Sequence, residues 1–570
     1  MPTTASGIMA TVRVHEDDPC RLRWFELACL CAVLLAVIGG CTRHQATQPA
    51  QRAPEASTAT AAPDATTMGP EGVQASWVLR ENQRPGTDDW KITGTPPGLI
   101  TGFADRTYAA AGDTASLFVS TDAPRFHVEA YRMGYYQASG GRLVWRSDEL
   151  PGVEQPPCPV TPGVNMVSCE NWSPTLQVAI TAAFVPGDYL FKLAGSGGQA
   201  SYLPLTVWDP HSHATYLVKN DVLTWQAWNP YGGYDYYVGK GSCPPRVYPL
   251  CSRARVVSFD RPYEFSYNGG AGSGDFLTLE LPLVRWMEQH GLDVGYVTDL
   301  TVIQHPDILV NHKAVLSLGH DECWSLRERQ AAVLANAAGV NLAFFGASGM
   351  LRHVRLEASA LGPDRQEVDY RDSAQDPLNG HGNPLQVTGN TWASAPASWP
   401  EDTFVGESYN GFLLPDAPRG ALRITDAGAW IFAGTGLHDG QQVPGVIGSD
   451  VDSLDPRLGY PPNVTVFAHS PLDASQAQAR THHGGVFYSD MTYYTDPQSH
   501  AGVWDSGTNA WIHGLTPCPG DRPCPAEVIG RITGNLLAAL GAGPAGVAHP
   551  SEPNWQTLYP AAAPPDTHHN

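Results

Sequence analysis

Positive charge is scarce in this chain: 34 Lys and Arg stand against 56 Asp and Glu, a formal net charge of −22. A nucleic-acid binder carries a basic footprint, so this balance speaks against nucleic acid as a partner. Several motifs are missing as well. No G-x-G-x-x-G follows a strand at a helix entry and no Walker sequence occurs, so dinucleotide binding and nucleotide hydrolysis have no support. There is no H-E-x-x-H, because Cys323, Trp324 and Ser325 follow Glu322. Ser348 lies in GASGM, which lacks the spacing of a nucleophile elbow. No cysteine pair has C-x-x-C spacing, which argues against a cysteine zinc site.

What is present bounds the answer. At 570 residues with 42% hydrophobic content, two to four domains with real cores are expected. Arg21 and Arg23 precede an apolar run over 27–38, and Ile38-Gly39-Gly40-Cys41 resembles a lipobox. Residues 1–41 therefore read as a signal peptide with lipidation at Cys41, or as an N-terminal anchor. Both readings place the body outside the cytoplasm, in a bacterial cell envelope: lipid-anchored to the membrane through Cys41, or periplasmic or extracellular. Residues 42–72 are rich in Ala, Thr, Pro and Gln and read as a disordered linker. Six later cysteines form near pairs, Cys158 with Cys169, Cys243 with Cys251 and Cys518 with Cys524. Each pair suits a short disulfide loop, although six cysteines allow fifteen pairings. Cys323 is left over.

Residues 73–208 read as an all-β domain. Short strands at 115–119, 125–131, 176–180 and 188–193 are divided by turn residues, which predicts a β-sandwich. The Tyr131–Tyr136 patch suits either carbohydrate stacking or an ordinary packed strand and turn. Residues 209–541 alternate short apolar strands (215–218, 294–298, 314–318, 341–345) with helical patterns (275–289, 327–338), which predicts a mainly parallel, open α/β sheet. Residues 299–307 read as a connection and 355–399 as polar and irregular. Strand-like segments at 429–433, 464–468 and 485–488 are β-rich elaborations of this domain, 526–540 is a helix, and 542–570 a loose tail.

Chemistry is expected where the 314–318 strand ends. Ligands gather outside the carboxyl ends of strands in open α/β sheets, and there stand His320, Asp321 and Glu322, with Ser348 leaving the next strand. Ser325 and Glu328 predict a capping box for the following helix. In near-extended backbone an H-x-E pair shares one face, so His320 and Glu322 can bind a divalent metal, act as acid and base on a water, or simply hydrogen-bond. The aromatic segment 225–237, with paired glycines, suits a pocket wall or interdomain packing.

The run GHDECWSLRERQAAVLANAAGVNLAFFGAS resembles the family sharing the C-terminal domain of the N,N-dimethylformamidase large (beta) subunit. WQAWNPYGGYDYY, SFDRPY, LPLVRWMEQHGLDVGYVTDL and the GTG pattern at Gly434 resemble it too, and YRMGYY resembles its usual upstream domain. The resemblance implies a glutamine-amidotransferase-like α/β domain and a mononuclear iron held by two tyrosines and a glutamate, with a histidine alongside. Carried over, these residues are Glu322, His320 and Tyr237, with Tyr236 as the other register. The chain departs from the family at Trp228 (usually tyrosine), Cys323, Ser348, Leu351 and Arg352. The implied activity is metal-dependent hydrolysis of a small amide or related C–N bond, with Ser348 or Asn229 hydrogen-bonding a small polar substrate. Zinc or no metal are the other states. A non-catalytic, glycan- or partner-binding envelope protein is the competing reading, and a homo-oligomer is compatible with either.

Overall fold

The computed structural model describes residues 65–559 except 95–96, 242–251, 265–273, 456, 458, 483–484 and 519–523, together with the backbone of 566–567. Helical and sheet regions are mixed throughout, and the described residues belong to one compact unit, Ala62–Asn570. The leader, the lipobox at Cys41 and the Cys243/Cys251 pair lie outside the described residues. Among the described residues no helix is long and apolar enough to cross a membrane.

The N-terminal part builds two sheets. One has three antiparallel strands, Ile100–Ala104, Thr114–Thr121 and Leu176–Ala179. The other runs Tyr108–Ala110, Ala200–Trp208, Gly187–Gly195, Arg125–Met133, Gly141–Arg146, with Leu150–Pro151 also pairing on Arg125–Met133. Apolar residues alternate inward, and Leu117, Val119, Phe126, Val128, Phe191 and Leu203 from both sheets share one core. All four strands predicted from the pattern are present. The Tyr131–Tyr136 patch is packed, since both tyrosines are buried. One helix, Ser76–Asn82, interrupts what the sequence reads as all β.

Seven strands form the central sheet, in the spatial order Val294–Thr298, Tyr216–Asn220, Ala314–Gly319, Asn341–Gly346, Gly502–Asp505, Val486–Thr495, Thr465–Asp473. The first four pairings are parallel and the last two antiparallel. The earliest strand of this sheet, Tyr216–Asn220, lies between the second and the third, so chain order reverses direction there. In open α/β sheets such a switch point is where ligands gather, outside the strands' carboxyl ends. Tight passage at this edge requires glycine: a Cβ on Gly346 would meet the Gly319 carbonyl oxygen at 1.4 Å.

Several segments differ from the sequence reading. Residues 299–307 are not a bare connection but carry the helix Asp299–Gln304, capped reciprocally by Thr298 and Thr301. The irregular 355–399 stretch opens with paired strands, Arg352–Ser359 and Gly362–Val368, whose inward residues include buried Arg355 and Glu367 in place of an apolar period. Residues 429–433 form a 3-10 turn, Trp430–Phe432, rather than a strand; Ile431 and Phe432 are apolar because they are buried. Thr66–Gly69, inside the stretch read as a tether, pairs as a hairpin with Gly72–Ala75 across the expected boundary. The tail packs: the Asn554 side chain bonds Val466 at both its oxygen and its nitrogen, and the Tyr559 hydroxyl donates to Asp490. Cys158–Cys169 and Cys518–Cys524 are disulfides, and Cys323 is free and buried.

A buried ion pair joins the N-terminal sheets to the central domain. Arg132 and Glu288 are both fully buried, and the Arg132 Nη1 donates to Glu288 Oε2 at 2.9 Å. Tyr296 and Asn82 also donate to Glu288, while the Pro186 carbonyl accepts from Arg132. Glu288→Ala leaves a buried guanidinium without its counter-charge and is expected to destabilise the protein by about 3–5 kcal/mol in urea unfolding.

Candidate functional site

The crevice is assembled from two strand ends. Past Tyr216–Asn220 comes the short helix Val222–Ala227, which presents Thr224 and leads to Trp228. Past Ala314–Gly319 the chain turns through His320, Asp321 and Glu322. The Thr224 hydroxyl accepts from the backbone N–H of Glu322 and of Cys323, each at 3.1 Å, and so fixes the turn. The helix Leu326–Ala337 follows with the capping box of Ser325 and Glu328 that the sequence predicts.

Glu322 is the hub, and it is 3% exposed. Its Oε1 accepts from Arg352 Nε at 2.9 Å. Its Oε2 accepts from the Trp228 indole N–H at 3.1 Å and from the Tyr237 hydroxyl. Burial alone would raise its pKa, but Arg352, His320, Arg371 and the Tyr237 hydrogen bond outweigh burial and hold the carboxyl at about 2. Tyr237 is shifted the other way, well above the ordinary phenol range, because it is buried and faces the Glu322 charge. It therefore acts as a neutral donor. Trp228 stacks on Tyr237 with ring centroids 3.6 Å apart, and Arg371 lies over the Tyr237 ring at 4.1 Å.

His320 sits between two carboxylates. Its Nε2 is 3.6 Å from Glu322 Oε2 and 3.5 Å from Asp450 Oδ2, is buried, and has no hydrogen-bond partner. Burial opposes its protonation, but Glu322 and Asp450 outweigh burial and raise its pKa. Ser348 donates from Oγ to Asp450 Oδ2 at 3.0 Å and from its backbone N–H to Asp452 at 2.9 Å. It adopts φ +66°, a conformation where glycine or asparagine is usual.

The structure thus brings His320, Glu322, Tyr237 and Ser348 together. Asn229 is a correction. Its amide donates to Gln226 Oε1 and the Pro262 carbonyl, and its oxygen accepts from the Glu264 and Tyr231 N–H groups. It pins its own loop and has no group left for a substrate. Tyr236, the other register, donates to the Glu367 carbonyl and is fully buried in the core. Cys323 is buried among carboxylates and its thiol is pushed well up, as expected for an inert residue.

Three participants escaped the sequence reading. Asp450 belongs to a Gly-Ser-Asp-Val-Asp loop whose alternating acids were the available signal. Arg352 is the cation on Glu322. Lys219 interrupts an otherwise apolar strand, and a buried charge needs partners. Its ammonium lies 2.8 Å from Asp321 Oδ2, 3.0 Å from Glu328 Oε1 and 3.5 Å from Asp221 Oδ1, and bonds Asp299. Asp221, Asp299 and Asp321 offer ligand atoms within 4.8 Å of one another, an arrangement that can hold a metal ion. Lys219 supplies a positive charge in the same place. Burial opposes that charge, but these carboxylates keep its pKa well above the ordinary value.

A mononuclear iron at Glu322 can be tested against this donor set. The position that would carry the first of the two tyrosines is Trp228, whose indole has an N–H and no lone pair for a metal. Tyr237 is a protonated donor, and Arg352 and Arg371 place two fixed positive charges beside the ligand positions. Oxygen-rich iron sites need anionic donors around the ion. The residues present do not fit that centre.

Two outcomes follow from the geometry. Because the Glu322 pKa is depressed, its stabilising effect is fully present above the ordinary carboxylate value and is lost as the pH falls through about 2. Between pH 5 and pH 2, wild type should lose ~3 kcal/mol more unfolding free energy than Glu322→Gln, measured by urea titration at each pH. Cys323 should resist iodoacetamide in the native protein and react at once in denaturant, with the adduct read by intact mass.

Comparison with protein families agrees with the resemblance in the sequence. No curated protein matches the chain. The family model described as N,N-dimethylformamidase beta subunit-like, C-terminal, matches residues 127–524, which take in the central sheet, the crevice and part of the N-terminal sheets. The chain belongs to the N,N-dimethylformamidase beta subunit-like C-terminal family.

Proposed function

We propose that this chain is a binding member of its family, holding a small amide or related polar molecule in the Glu322 crevice without the metal-dependent hydrolysis that the family relation suggests. One observation carries the reading: among the described residues the hydrogen-bond donors on the Glu322 carboxylate are Arg352, Trp228 and Tyr237, so it is neutralised by a guanidinium and two neutral N–H and O–H groups. A carboxylate held near pKa 2 is also a poor general base at neutral pH. The half-buried Trp228 ring, with Arg352 on the other side of Glu322, offers a stacking surface and N–H donors to a planar polar ligand, including a glycan or a partner's side chain, while the Tyr237 ring is already stacked by Trp228 and Arg371. The export signal read at Cys41 supports a place in the cell envelope, lipid-anchored or released. The two N-terminal sheets around one core support the β-sandwich, and the switch point supports the glutamine-amidotransferase-like reading of the α/β part.

A second reading is favoured by His320. Its buried, unpartnered Nε2 faces Glu322 Oε2, on which the Tyr237 hydroxyl converges. In a metal-dependent hydrolase of a small amide, Glu322, Tyr237 and His320 would be the holding residues, and the metal would polarise the carbonyl. Elemental analysis of the protein purified from the periplasm separates the two. Iron and zinc are expected well below one equivalent, before and after supplementation, in wild type and in Glu322→Gln alike. Close to one equivalent of either metal in wild type, lost in Glu322→Gln, would replace the binding reading with the hydrolase.

A further inference from the structure

The Asp450 side of the crevice carries two hydrogen-bonding atoms that no described residue uses. Asp450–Ser453 pairs with the strand Ser408–Leu413, and Tyr409 stands opposite Asp452. Directly opposed residues of an antiparallel pair point to one face, as do residues two apart on a strand. Tyr409 therefore shares a face with Asp452 and Asp450, the residues that hold Ser348. Its half-buried ring is fixed from outside: Arg480 donates to the Tyr409 carbonyl at 3.0 Å and lies over the ring, 6.0 Å from its centre. Burial raises the pKa of this phenol, and the charges of Asp450 and Glu322 raise it further, so it stays a protonated donor.

The two open atoms differ in kind. Among the described residues nothing bonds the Tyr409 hydroxyl, and Asp450 Oδ1 accepts from no donor, because Ser348 and His320 both address Oδ2. Both residues reach solvent, the Asp450 side chain being 19% exposed and Tyr409 half-buried. One atom is a donor and the other a carboxylate oxygen that only accepts. The geometry points to a ligand that carries an N–H and a carbonyl on the same carbon, a primary or secondary carboxamide, with its N–H on Asp450 Oδ1 and its carbonyl oxygen on the Tyr409 hydroxyl. This assignment rests on the binding reading of the crevice and narrows it. A tertiary amide has no N–H, so it would cover the Asp450 oxygen without pairing it. A site built to hydrogen-bond a group rejects the analogue lacking that group far more strongly than an apolar pocket rejects a misfit.

The test is a graded series of amides of one shape. Acetamide, N-methylacetamide and N,N-dimethylacetamide are titrated into the full chain, with binding read by saturation-transfer NMR in wild type and in Tyr409→Phe. Acetamide and N-methylacetamide should bind wild type, and N,N-dimethylacetamide should bind at least about tenfold more weakly. Tyr409→Phe should weaken the first two by about tenfold, with the fold checked by circular dichroism. Equal binding of all three amides, or unchanged affinity in a folded Tyr409→Phe, overturns this assignment and leaves the binding reading standing. Binding of none of the three overturns both. Close to one equivalent of iron or zinc that is lost in Glu322→Gln, with the order of the amides as expected, would overturn the binding reading alone.

Discussion

Buried carboxylates need a counter-charge, and the carboxyl edge of the central sheet is organised by how each one gets it. Lys219 stands among Asp221, Asp299, Asp321 and Glu328, and Arg352 stands on Glu322. Removing one partner of such a set leaves an uncompensated charge in a low-dielectric interior, which costs several kcal/mol. These pairings tie the crevice together. Lys219 comes from the first strand of the sheet, Asp299 from the helix after the second, Asp321 from the turn after the third and Glu328 from the cap of the next helix. The His320–Glu322 turn is therefore held from several elements at once.

This arrangement separates family from function. The chain belongs to the family and carries Glu322 and His320 in the turn of its strand-turn-helix, yet the groups that surround Glu322 are a guanidinium, an indole and a protonated phenol. A metal centre and an ion-paired centre can share one backbone, and in this chain Arg352 and the Trp228 N–H occupy the Glu322 carboxylate. Fold alone does not fix that choice.

Much of the frame was legible in the sequence. Apolar runs gave the buried parallel strands, and the Ser325 to Glu328 spacing gave the cap. His320 and Glu322 were legible from their place at a strand end. The polar interior was not. Arg352–Ser359 and Gly362–Val368 hide their period because Arg355 and Glu367 point inward in ion pairs and buried polar contacts, and the 3-10 turn at Trp430–Phe432 looks like a strand because three apolar residues suit both. Asn229 looked available for a substrate, but its partners, Gln226, Pro262, Tyr231 and Glu264, come together only in the folded loop. Lys219 and Asp450 depend on partners as many as 109 and 130 positions away in number, respectively, namely Glu328 and His320. Local pattern cannot reveal such pairs.

The most direct test is a double-mutant cycle on Glu322 and Arg352, using Glu322→Gln, Arg352→Gln and the double variant, with urea unfolding as the readout. If the guanidinium is the resident counter-charge of the crevice, the coupling free energy should exceed about 2 kcal/mol. A coupling indistinguishable from zero would contradict the account.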